Sequence, residues 1–297
     1  MKTLLVIILI VSAISLFAAE NTVLSMPERN KKEILITGHR GNAKFSPENT
    51  LTSYRKAIEL GADIIETDVR LTKDGVPVFC HDGNIDRTSN GTGNICDKTL
   101  AELKGYDFGY REVFRDRFKG EPILTLEDGL KFFKEKNVKF LLEIKENQVI
   151  EPISKLVKKI NTKKKNTKFL VWGIGDSKDI CKYLKGYDIY HLAPLDAYLT
   201  AENKDGYFRE LKDAGITGFS VNYHQLFGMD KKDTDLFLIL AAKYKMPVGV
   251  WTIDSTGEIN NAMNYMVKGT VGKKSYLGKI DIITTNDPLK AILLRDN

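Results

Sequence analysis

Ile64-Ile65-Glu66-Thr67-Asp68-Val69 is an apolar run interrupted by two carboxylates spaced two residues apart. A short β-branched run of this kind reads as a strand, and side chains two apart on a strand share one face, with α-carbons about 6.6 Å apart. Ile64, Ile65 and Val69 set the strand in a core rather than on a solvated edge, the competing reading for alternating charge. Two bare carboxylates on one buried face cost roughly several kcal/mol unless a cation offsets them. The stretch therefore predicts an interior strand of a closed sheet that carries a metal site.

Working outward, eight further runs read as strands, at 34–37, 76–79, 140–144, 169–171, 189–192, 216–221, 248–253 and 282–284. Their alternation with helical stretches predicts a parallel sheet. His39, Glu66, Asp68, His81, Glu143, Lys145 and Trp251 all fall at or just beyond predicted strand ends. In a barrel the ends of several strands converge on one face, which favours it over an open sheet, so the expected fold is α/β, a TIM (β/α)8-type barrel. Nine candidates exceed the eight it requires, so at least one is short, peripheral or not a strand. Thr72-Lys73-Asp74-Gly75 leaves room for a turn and no helix between strands 2 and 3. A small insertion follows strand 3, at about 83–122, expected to cover part of the site. Ser46-Pro47-Glu48-Asn49 predicts a capped helix over 47–60, stopped by Gly61.

The 297 residues are 42% hydrophobic and 28% charged, which excludes a disordered chain. Lys2, an apolar run over 4–17 and Ala18-Ala19-Glu20 read as a signal peptide over about 1–19. That run is shorter than the roughly 20 residues a membrane-spanning helix needs. The expectation is an exported protein, periplasmic or extracellular, with no stable membrane span after cleavage: an N-terminal arm over 20–33, then a single domain over 34–297. Three cysteines are too few for a disulfide framework. The net charge of +6, lowered by one if Lys2 leaves with the leader, suits an anionic small molecule. Lys163-Lys164-Lys165 lacks interleaved aromatic residues and reads as a solvated turn, so no nucleic-acid partner is expected. The oligomeric state is not legible.

The chain has four histidines, and two have matching surroundings, Gly38-His39-Arg40-Gly41 and Cys80-His81-Asp82-Gly83. Imidazole titrates near neutral pH, so His39 and His81 are read as a catalytic acid-base pair, and His191 and His224 as structural. In Leu141-Leu142-Glu143-Ile144-Lys145, Glu143 and Lys145 share a face: either a private salt bridge, or a metal ligand beside an anion-binding lysine. Oxygen ligands alone favour Ca2+ or Mg2+ over zinc. Arg40 offers a forked donor for an oxyanion such as phosphate. One divalent cation, three carboxylates, Arg40 and Lys145 leave a single net positive charge, the complement of a phosphodiester.

In this order, Gly-His-Arg-Gly (38–41), Ser-Pro-Glu-Asn-Thr (46–50), Ile-Glu-Thr-Asp-Val (65–69), Thr-Lys-Asp-Gly (72–75), His-Asp (81–82), Leu-Glu-Ile-Lys (142–145) and Val-Trp-Thr-Ile-Asp (250–254) resemble the glycerophosphodiester phosphodiesterase family. The resemblance spans about residues 34–289, including the closing Ile282-Ile283-Thr284-Thr285-Asn286-Asp287-Pro288. It implies a TIM barrel, a divalent cation, and hydrolysis of a small glycerophosphodiester to sn-glycerol 3-phosphate and an alcohol. By the same resemblance His39 and His81 match the general acid and base, and Glu66, Asp68 and Glu143 the metal ligands. Arg40 and Lys145 match residues near the phosphate, Trp251 an aromatic bordering the substrate, and Glu48 and Asn49 supports of the site. Asp254 stands where the family often has asparagine, which bears on the alcohol-side pocket. The alternatives are a lysophospholipase D or phosphoinositide-type phosphodiesterase on the same barrel, and, more remotely, an inactive secreted binding protein.

Overall fold

In the computed structural model, eight parallel strands close on themselves. The described residues are 34–296, apart from 110–113, 135, 137, 161–168, 174–176, 184–187 and 193–194. The expected signal peptide, the N-terminal arm and the Lys163–Lys165 turn lie outside them, as does the side chain of His191. The strands are β1 (Leu35–Gly38), β2 (Ile64–Leu71), β3 (Pro77–Phe79), β4 (Lys139–Ile144), β5 (Phe169–Gly173), β6 (Asp188–Leu192), β7 (Gly218–Asn222), β8 (Val248–Trp251), β9 (Met266–Val271), β10 (Lys274–Lys279) and β11 (Ile282–Thr285). The ring runs β1-β2-β4-β5-β6-β7-β8-β11 and returns to β1, every pairing parallel. The peripheral ninth candidate is β3, which returns antiparallel along the far end of β2 with no intervening helix.

Strand alternation sorts the barrel into two environments. Ile64, Leu141 and Ile282 form a small buried cluster against which Leu35 and Trp251 pack. Ile36, Ile65, Val69, Leu142, Ile144, Phe219, Val221, Val248, Val250 and Ile283 belong to the main core, shared with the helices. On β2 this puts Ile64, Glu66 and Asp68 on the inner face and Ile65, Thr67 and Val69 on the outer one. The pairing with β4 sets Glu66 opposite Leu141 and Asp68 opposite Glu143.

Three expectations need correction. Glu66 and Asp68 lie within β2, because that strand runs on past the barrel rim to pair with β3. The first helix spans Leu51–Leu60, capped by Thr50, whose hydroxyl accepts from the Ser53 amide, so Ser46 is not its cap. The reason is Asn49: its backbone is left-handed, φ 59°, and its amide N–H donates to the Arg40 carbonyl, which holds 46–49 against the barrel as turns. Gly61 ends the helix as expected, with φ 98°.

The third correction is a second excursion. The antiparallel hairpin β9–β10 sits between β8 and β11, against the helix Lys231–Lys243. A Cβ on Gly278 would come within 2.6 Å of the Leu238 backbone, so the hairpin docks only because glycine stands there. The first excursion has its own core of Val78, Cys80, Ile85, Ile95, Leu103, Phe108 and Ile123. Among the described residues no helix is long and apolar enough to cross a membrane.

Candidate active site

β2 and β4 bring Glu66, Asp68 and Glu143 together: one ligand oxygen from each lies within 4.8 Å of the others, and all three residues are buried. At that separation each pair of like charges repels by about 3–4 kcal/mol in an effective dielectric near 20. Cations on the same rim answer part of this. Lys145 Nζ is 2.9 Å from Asp68 Oδ1 and also bonds Glu143 Oε1, and Arg40 Nε is 3.3 Å from Asp68 Oδ2. Burial would raise the Asp68 carboxyl, but Lys145 and Arg40 outweigh it and hold it at about 2. Glu66 is pushed well up, by burial first and then by its two carboxylate neighbours; burial and Asp68 push Glu143 up too.

Glu66 Oε2 accepts from the Arg40 backbone N–H at 2.8 Å, while Oε1 is buried without a hydrogen-bond partner. Arg40 aims that N–H by adopting a left-handed φ of 51°, a conformation worth about 1–3 kcal/mol of strain. Asn49 steadies the neighbouring ligand. Its Nδ2 donates to Asp68 Oδ2 at 2.8 Å, and its Oδ1 accepts from Thr67 Oγ1, Tyr54 Oη and the Asp68 amide.

His39 follows β1 directly. Its Nδ1 is 2.7 Å from Asn286 Oδ1, and its Nε2 is 3.9 Å from Glu66 Oε2. Burial and the Arg40 charge push its pKa down to about 4, so the ring is neutral at ordinary pH. His81, beyond β3, has a different partner: its Nδ1 is 2.7 Å from Asp82 Oδ1. Arg87 donates from Nε to Asp82 Oδ2, which holds that carboxyl well below the usual range, and from both terminal nitrogens to Glu48. Glu48 also accepts from Arg40 Nη1 at 2.9 Å.

A cavity of about 540 Å³ opens beside these groups, lined by His39, Arg40, Ala43, Lys44, Glu48, Arg87, Phe114, Asp254 and Asn286. Arg87, Phe114 and Lys44 give its wall basic and aromatic surface. The structure thus gathers His39, Arg40, Glu48, Asn49, Glu66, Asp68, His81, Glu143 and Lys145 into one hydrogen-bonded neighbourhood. Lys145 is held between Asp68 and Glu143, so it is no private bridge to Glu143. Trp251 ends β8 and packs on the inner cluster, outside the cavity lining. His224 lies apart, its side chain exposed beside Glu258.

Asp82, Arg87 and Asn286 join the site without having been assigned a part in it. Asp82 is marked by its place beside His81, and Asn286 by following a strand that ends at the rim. Arg87 carries no local sign, because its partners Glu48 and Asp82 are brought to it by the folding of the excursion.

Residues 39–272 match the Glycerophosphoryl diester phosphodiesterase family. A glycerophosphodiester phosphodiesterase of Caldanaerobacter subterraneus subsp. tengcongensis is 36% identical over 180 residues, 58% of this chain and 73% of that protein. A glycerophosphodiester phosphodiesterase of Bacillus subtilis is 38% identical over 134 residues, 43% of this chain and 44% of that protein. Among solved structures, an Oleispira antarctica phosphodiesterase in complex with the product sn-glycerol-3-phosphate superposes with a TM-score of 0.71. It is 21% identical, and the match covers 89% of this chain and 97% of that one.

Proposed function

The chain belongs to the glycerophosphoryl diester phosphodiesterase family, and from that premise we propose that it hydrolyses small glycerophosphodiesters to sn-glycerol 3-phosphate and an alcohol. In this reading His39 and His81 move the protons, and Glu66, Asp68 and Glu143 hold one divalent cation, Ca2+ or Mg2+. The observation that carries the reading is the buried, all-oxygen trio with Glu66 Oε1 left unpartnered and the His39 imidazole 3.9 Å from Glu66 Oε2. Such a donor set fits a hard cation and no soft one. When bound, the cation supplies positive charge to the phosphoryl oxygens as charge builds on them.

The chain's own groups divide the remaining work. Arg40 borders the cavity and presents a guanidinium to the same oxygens, with Glu48 fixing its direction. Neutral His39 takes the proton of the attacking hydroxyl as the new P–O bond forms. His81 has the Asp82 carboxylate behind it, and it gives a proton to the departing alcohol oxygen as the old P–O bond breaks. Arg87 and Asp82 hold that ring in place. Export follows from the reading of residues 1–19, and the reaction is accordingly assigned to the periplasm or the exterior.

The test is release of the alcohol, together with sn-glycerol 3-phosphate from glycerophosphodiesters with different alcohols or with acyl-glycerol 3-phosphate from lysophosphatidylcholine, with Ca2+ or Mg2+ before and after chelation. His39→Ala and His81→Ala should each lower turnover by at least about 100-fold while the fold is retained. Full turnover in both variants, or turnover of the acylated substrate alone, would overturn the proposal.

A further inference from the structure

Asp254 has no contact with the metal-binding trio, yet its carboxylate is fully engaged one layer behind His39. Oδ1 accepts from the Thr285 hydroxyl at 2.8 Å and from the Asn286 backbone N–H at 2.8 Å. Oδ2 accepts from the Asn286 side-chain Nδ2 at 2.7 Å. Lys290 Nζ donates to the Asp254 carbonyl at 2.8 Å, which anchors the same residue from its backbone side. Burial would raise this carboxyl, but the Asn286 and Thr285 donors outweigh it and keep it ionised.

An ionised carboxylate only accepts hydrogen bonds, whereas a carboxamide has one accepting and one donating end. Asn286 therefore has to turn its Nδ2 toward Asp254. A flip would set its carbonyl oxygen against Oδ2, acceptor to acceptor. With Nδ2 committed, Oδ1 is the atom that faces His39 Nδ1 at 2.7 Å, and an oxygen with no hydrogen to give requires that Nδ1 carry the proton. In a neutral imidazole that leaves the lone pair on Nε2, the nitrogen on the Glu66 side of the ring.

We propose that Asp254 is a positioning residue for the reaction: acting through the Asn286 amide, it holds His39 in the tautomer whose Nε2 can accept a proton. The inference rests on the assignment of His39 as a proton carrier in the proposed function. It gives Asp254 a part in the histidine machinery, where the sequence resemblance bears on the shape or charge of the alcohol-side pocket.

Asp254→Asn makes the test sharp. The new amide keeps its oxygen on Thr285 and the Asn286 N–H, which turns its own NH2 toward Asn286 Nδ2. Two donors then meet, Asn286 flips, and His39 Nδ1 faces a donor. The ring should move to the Nε2–H tautomer. In the double variant Asp254→Asn/Asn286→Asp, the acceptor-only group moves next to His39, accepts from both sides and restores Nδ1–H.

The experiment reads the full-length protein, 15N-labelled at histidine, by two-dimensional NMR that separates protonated from unprotonated ring nitrogens, with His39 assigned from a His39→Ala control. Turnover of glycerophosphocholine is measured on the same samples. The expected result is loss of the Nδ1–H signature in Asp254→Asn with kcat down by about 100-fold or more and KM little changed, and recovery of both signature and most of the turnover in the double variant. Retention of Nδ1–H in Asp254→Asn overturns the proposal. So does a lost signature that the double variant fails to restore, since a purely structural role would give that outcome. A tautomer that shifts and recovers in a protein that turns over no glycerophosphodiester would leave the relay standing and refute the proposed substrate instead.

Discussion

Adding a divalent cation to chelated protein should raise its thermal stability, and Glu66→Gln should abolish most of that rise. Without a cation, Glu66, Asp68 and Glu143 form three like-charged pairs within 4.8 Å, each worth about 3–4 kcal/mol of repulsion, against the two neighbouring cations of Arg40 and Lys145. The folded chain relieves the excess by keeping a proton on Glu66, whose carboxyl is pushed well above its ordinary 4.5. Folded protein then binds more protons than unfolded protein, so stability of the chelated form falls as pH rises above 4.5 until Glu66 ionises. A cation at about 100 times its dissociation constant adds about 2.7 kcal/mol, which for a domain of about 260 residues is a rise in Tm of roughly 5–10 °C. Because cation and proton compete for Glu66, the rise should be larger at pH 8 than at pH 5. Differential scanning fluorimetry with Ca2+ and Mg2+ measures it directly. An unchanged Tm in the wild-type protein at pH 8, or an equal rise in Glu66→Gln, would refute the placing of the metal site.

Other consequences follow from single contacts. Asn49→Ala should cost about 2–4 kcal/mol in urea unfolding, since it strips the buried Thr67 and Tyr54 hydroxyls and Asp68 of a shared partner; a loss below about 0.5 kcal/mol would contradict the role given to Asn49. Cys96 is exposed and should react with iodoacetamide in the native protein, whereas Cys80 is buried with its thiol pushed up to about 12 and should react only on unfolding, as peptide mass analysis would report. Gly278→Val should lower stability by about 1–3 kcal/mol through overpacking against the Leu238 backbone while leaving KM near its wild-type value; an unaffected midpoint in urea would rule out the close approach.

What the sequence determined by itself is the part of the protein governed by local periodicity. Eight barrel strands and the antiparallel return at Pro77–Phe79 are legible because a buried parallel strand must be apolar on its outer face, so that Glu66 and Asp68 stand out on the inner one as an anomaly needing an explanation. Short motifs likewise mark His39, His81 and Glu143, since each sits immediately beyond or at the end of such a run. The first helix was misjudged at its start because Ser46-Pro47-Glu48 has the right capping chemistry, and only the pull of Asn49 on Arg40 and Asp68 shows that those residues serve the site.

Tertiary structure alone decided the distant partners of the polar groups. Lys145 looks like a bridge to Glu143 from spacing, but the β2–β4 register also brings Asp68 to it. Arg87 reaches Glu48 across 39 residues, and Asn286 reaches His39 across 247, distances at which no periodicity survives. The two histidines share flanking sequence, yet one faces an amide and the other a carboxylate. Closure of the ring between β11 and β1 brings Asn286 to His39, whereas His81 takes the carboxylate of its own neighbour, Asp82.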